Sequence, residues 1–147
     1  MKKILVFKTS TDTTMKRLFL DLGKAKIDCL IQSSQIGRFK NRYPYINFID
    51  IYQEGFYNLS VQVLDIIANE IYDQLYVTFS GIKGNNYDNI IELINKLNYK
   101  EAFFYNCNGD KIKIPEKNII NDLLIKVYIR FIDLSYKLKK GIKRCAE

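Results

Sequence analysis

The residues best suited to chemistry lie near the start of the chain. "KTSTDTTMK", Lys8 to Lys16, sets five Thr or Ser around one acid, Asp12. Hydroxyls and free backbone N–H groups at the start of a helix suit an anionic or hydroxyl-rich ligand. A carboxylate repels phosphate, so Asp12 favours a sugar hydroxyl, either as hydrogen-bond acceptor or as the base that takes its proton. A plainer purpose fits the same residues, because Asp and Thr ahead of a helix are common N-caps, worth ~1 kcal/mol without any ligand. The sequence leaves both readings open. A second polar loop, "SGIKGNN", offers Ser80, Gly81, Lys83, Gly84, Asn85 and Asn86, with Lys83 as an anion contact or simply a solvated lysine.

Composition narrows the chemistry. The 147 residues contain no His, which removes Ser-His-Asp and Cys-His nucleophilic sites and most zinc sites. Acid–base work then falls to Asp, Glu, Lys, Tyr or Cys. Cys29, Cys107 and Cys145 are far apart and odd in number, so neither a disulfide frame nor a CxxC pair is expected, and no metal site is predicted. Neither GxGxxG nor GxxxxGK[ST] occurs, which argues against dinucleotide and P-loop chemistry.

The elements that must position these residues follow from apolar periodicity. Strands are read at Lys3 to Phe7, Lys26 to Gln32, Tyr45 to Tyr52, Gln74 to Ser80 and Glu101 to Asn106. Thr13 or Thr14 is read as the cap of a helix that Gly23 stops. "SSQIGRFKNRYP" is a short helix or loop, "LSVQVLDIIANEIYD" and "YDNIIELINKL" are helices, and "NGDKIKIP" is a turn with a short strand. Strands separated by helices predict an α/β fold: a three-layer Rossmann-like sandwich on a mostly parallel five-stranded sheet of order 3-2-1-4-5. Residues 1–115 form this domain, and residues 116–147 form a long C-terminal amphipathic helix. In such a sheet the ligand crevice lies where the strand order reverses, between strands one and four. That position predicts residues 8–14 and 80–86 as its two lips.

Several of these segments also resemble a known family in their order. "KILVFK" with a polar loop ending in Asp, then "AKIDCLIQ", "RYPYINFIDI" and "IYDQLYVTFSG", is similar to the acceptor-side N-terminal half of GT-B glycosyltransferases, in particular the heptosyltransferase-like family. Lys8, Asp12, Asp28, Pro44, Asn47 and Tyr72-Asp73 fall at comparable places. The resemblance implies that Asp12 faces the acceptor sugar as a catalytic base in cell-surface glycan assembly. It also implies a nucleotide-sugar half supplied from elsewhere, as by a second glycosyltransferase subunit. The rival readings are a non-catalytic protein-interaction module and a flavodoxin-like domain. "TSTDTT" resembles the flavodoxin phosphate loop with Asp12 in place of Gly, and FMN is a cofactor only under that reading.

The net charge of +7 sits mostly at the end of the chain. Residues 111–147 carry ten Lys or Arg against four acids, while residues 1–110 carry thirteen against twelve. A nearly neutral body argues against a nucleic-acid surface spread over the fold. The run Ile119 to Arg144 has a narrow polar stripe and a broad apolar face, and as a helix would extend roughly 39 Å. Part of it can cover the sheet. The surplus, with Lys137, Lys139, Lys140, Lys143 and Arg144, suits a partner chain, a second copy of itself or an anionic membrane surface. No signal peptide or membrane span is read, so the expected compartment is cytoplasmic, with peripheral membrane attachment as an option.

Overall fold

The computed structural model describes residues 1–52, 61–79, 88–114 and 130. Ten elements follow one another: β1 (Lys3–Phe7), α1 (Asp12–Leu22), β2 (Lys26–Ile31), α2 (Ser33–Arg42), β3 (Asn47–Asp50), α3 (Val61–Ala68), β4 (Ile71–Thr78), α4 (Asp88–Ile94), β5 (Asn98–Tyr105) and β6 (Lys111–Ile114). The fold is α/β, with a six-stranded, mostly parallel sheet of order β3-β2-β1-β4-β5-β6. The order of the first five strands is the expected one, but the sheet is larger by one strand. The short "KIKI" run pairs antiparallel with β5, from Ala102 opposite Ile114 to Tyr105 opposite Lys111. The turn between them explains this pairing. Asn106 Oδ1 accepts from the N–H groups of Asn108 (3.0 Å) and Asp110 (2.9 Å), and Gly109 takes φ +85°, where a side chain would be strained.

Alternation along the buried strands sends side chains to two separate cores. Leu5, Phe7, Leu30, Leu75 and Val77 pack with Val63 and Ile67 of α3 and with Ile90, Leu93 and Ile94 of α4. Ile4, Val6, Ile27 and Cys29 pack with Met15, Leu18 and Phe19 of α1 and with Phe39 of α2. Helices therefore cover both faces, giving three layers.

Some boundaries differ from the sequence reading. The N-cap of α1 is Thr11, not Thr13 or Thr14, which lie inside the first turn; Gly23 (φ +58°) ends the helix as expected. "SSQIGRFKNR" is a full helix. Strand β4 begins at Ile71, so Ile71 and Tyr72 are strand residues and not the end of a helix. The cause is pairing: Ile71 and Tyr72 stand opposite Asn98 and Tyr99 of β5, which itself starts three residues earlier than the apolar run suggests. The expected loop at residues 80–86 and the basic tail with Lys137, Lys139, Lys140, Lys143 and Arg144 lie outside the described residues. Among the described residues, no helix is long and apolar enough to cross a membrane.

Candidate functional site

The strand order reverses between β1 and β4, which are direct neighbours, with Phe7 opposite Val77. The loop after β1 is clamped to the end of β4. Thr9 N–H donates to Thr78 Oγ1 (3.1 Å), Thr9 Oγ1 donates to the Thr78 carbonyl, and Thr78 Oγ1 donates to the Phe7 carbonyl (2.9 Å). Thr11 and Thr14 serve the helix start: their hydroxyls lie 3.1 Å apart, and Thr11 Oγ1 accepts from Thr14 N–H at 3.5 Å. Three of the five hydroxyls therefore build the loop. Thr13 is exposed, and Ser10 Oγ is buried with no hydrogen-bond partner among the described residues.

Asp12 opens α1 with its side chain 34% exposed and lies between two cations. Lys8 Nζ approaches Oδ1 at 3.5 Å, and Arg38 Nη2 approaches Oδ2 at 2.8 Å. The two cations differ in setting. The Lys8 side chain is only 6% exposed, its ammonium also donates to the Ser10 carbonyl (3.2 Å), and it lies 5.1 Å from the centre of the Phe39 ring. Burial pulls the Lys8 pKa below the ordinary lysine value, and the Asp12 carboxylate opposes that shift. Arg38 is mostly exposed and rests against the same ring, 5.6 Å from its centre. Each carboxylate oxygen has one cationic neighbour, which leaves lone pairs for an incoming donor. Two cations against one carboxylate make the cluster net positive.

Cys29 lies on the same sheet face in β2. Burial pushes its thiol well above the usual range, and the nearby Lys8 charge only partly offsets this. A buried thiol of this kind is inert as a nucleophile. Cys107 follows β5 and is exposed. Among the described residues no group of three or more Cys, Asp or Glu is placed to hold a metal ion.

Four other residues of the family resemblance, Asp28, Asn47, Tyr72 and Asp73, meet at the opposite end of the strands. Asp28 is buried and accepts from Asn47 Nδ2 (2.8 Å) and from the Tyr72 hydroxyl (3.1 Å), with Lys3 Nζ 3.9 Å away. Lys3 also pairs with Glu70, and its backbone N–H donates to Asp73 Oδ2 (2.9 Å). Burial, reinforced by Asp28, pushes the Tyr72 hydroxyl above the usual tyrosine range. These side chains satisfy one another across four strands, so their pattern reflects sheet construction as much as chemistry.

Ser80, Gly81, Lys83, Gly84, Asn85 and Asn86, expected as the second lip, lie outside the described residues; Thr78 is the nearest described group on that side. Sequence reasoning missed Arg38 because nothing in "QIGRFK" distinguishes one helical arginine from another. The available signal was topological: α2 begins at the same sheet edge as α1. Compared with known proteins, the chain matches no protein family, no curated protein and no solved structure.

Proposed function

We propose that this chain is a glycosyltransferase-like domain, the Rossmann-like acceptor half of a GT-B arrangement, acting in or beside cell-surface glycan assembly. It binds a hydroxyl-rich sugar acceptor at the C-terminal end of β1, and the nucleotide-sugar half comes from outside these 147 residues. One observation carries the reading: Asp12, partly open at the start of α1, is held by Lys8 and Arg38 with acceptor capacity left over. A sugar hydroxyl donates to Asp12, which is also the base candidate once a donor sugar is brought to it. Lys8 and Arg38 orient the carboxylate, one at each oxygen.

Binding to an array of mono-, di- and trisaccharides tests the proposal. A charge-assisted hydrogen bond contributes about 1.5–3 kcal/mol, so Asp12→Asn weakens saccharide binding at least about tenfold. Arg38→Ala, which costs little stability because the guanidinium is exposed, weakens it to a smaller degree. Saccharide binding equal to wild type in both folded variants, or no saccharide bound by the wild type, refutes the reading.

A further inference from the structure

Tyr52 stands out among the described residues as the one non-glycine with a positive φ, +54°. A bulky aromatic is rarely found there, because the left-handed region crowds its Cβ. The conformation is held in place from outside. Tyr52 N–H donates to Asp50 Oδ1 (2.8 Å), and the same oxygen accepts from the hydroxyl of Ser33 (2.7 Å), the first residue of α2. Pairing to β2 continues up to Ile51, whose N–H donates to the Ile31 carbonyl (3.1 Å), so Tyr52 is the first residue to leave the sheet. It leaves at the same sheet edge as the Lys8 to Asp12 loop. The helix to which it is tethered is the one that carries Arg38 to Asp12. Tyr52 is nevertheless 71% exposed, and its ring and hydroxyl take part in no hydrogen bond, ion pair or ring contact among the described residues.

An aromatic ring is thus kept open to solvent, in a backbone conformation disfavoured for its side chain, by a carboxylate that also ties down the start of α2. Strain of this kind persists where the surroundings over-determine it, and it clusters at binding sites. Resting on the sugar-acceptor reading, we infer that Tyr52 is a stacking platform for a second ring of the acceptor. β3 and β1 are two strands apart in the sheet, roughly 10 Å at the usual inter-strand spacing. On this inference one pyranose ring donates its hydroxyl to Asp12 and a linked ring lays its C–H face on Tyr52, beyond the same sheet edge. The acceptor class is therefore a saccharide of at least two rings. The preference over a single sugar comes from aromatic contact and not from charge.

The same saccharide array separates the possibilities, read together with thermal melts. Tyr52→Ala and Tyr52→Gly weaken binding of di- and trisaccharides by roughly tenfold, the value of one good aromatic contact, and Tyr52→Phe retains it. Monosaccharide binding does not change in any of the three. Tyr52→Gly also melts at or above the wild-type temperature, because glycine accepts the positive φ without strain; a purely structural tyrosine would lower it. Disaccharides that bind no better than monosaccharides, or an unchanged affinity in folded Tyr52→Gly, overturn the inference and leave Asp12 as the acceptor contact. If no saccharide binds the wild type, the parent reading fails and the inference fails with it.

Discussion

Asp12→Asn removes the carboxylate charge from beside a lysine that has almost no access to water. At 3.5 Å and an effective dielectric of about 20, the Lys8–Asp12 attraction is on the order of 4–5 kcal/mol. Asp12 is one-third exposed, so solvent and salt screen part of this, and about 2 kcal/mol is the expected loss of stability at pH 7. For a chain of 147 residues this lowers Tm by about 6 °C. The pH dependence identifies the cause. The folded-state pKa of Lys8 already lies below its unfolded value, so burying the ammonium costs stability below the folded pKa, and that cost is relieved as pH rises towards 10.5. Without Asp12 the depression deepens and begins to be relieved at lower pH. The difference in Tm between wild type and Asp12→Asn is therefore largest near neutrality and shrinks by pH 9.5, as followed by circular dichroism. In a Lys8→Met background, Asp12→Asn costs less than half as much. A Tm difference independent of both pH and Lys8 would show that the carboxylate acts only as a helix-start residue, and would refute the electrostatic account.

Two further outcomes test the surroundings of the site. Ser10→Ala deletes a buried hydroxyl that has no partner among the described residues and whose burial costs about 1–3 kcal/mol, so the variant gains roughly 1 kcal/mol and melts a few degrees higher; a lower Tm would mean the hydroxyl is satisfied in solution. Asp28→Ala strands the Asn47 and Tyr72 donors at the far end of the sheet, so it costs about 2–4 kcal/mol in urea unfolding and leaves saccharide affinity unchanged; a selective loss of binding at full stability would place Asp28 in the site.

Much of the architecture could be read from the chain. Short apolar runs separated by helical periodicity dictate strands and helices, and a parallel sheet with right-handed crossovers then leaves few possible orders. The first five strands follow that order, and Gly23 ends α1 because glycine takes its positive φ cheaply. The sixth strand was less legible. The sequence reads a short strand in "KIKI" but not its place in the sheet, which the Asn106-centred turn decides by delivering it to β5. Strand β4 starts early because Ile71 and Tyr72 find partners in β5, a contact that propensity does not encode.

The chemistry divides along the same line. The sequence by itself determined that acid–base work must avoid His, that Asp12 and its hydroxyl neighbours follow the first strand, and that this loop meets the reversal in strand order. Tertiary structure decided what each group does there. Thr9 is consumed in clamping β4, Thr11 and Thr14 in starting a helix, and Asp12 acquires Arg38 from 26 residues away. Tyr52 reads as one more strand tyrosine until Asp50 and Ser33 are seen to hold it open. Periodicity records which side of an element is apolar, because burial acts on every turn or alternate residue alike. A single polar pairing across elements leaves no periodic trace, so it emerges only when the chain has folded.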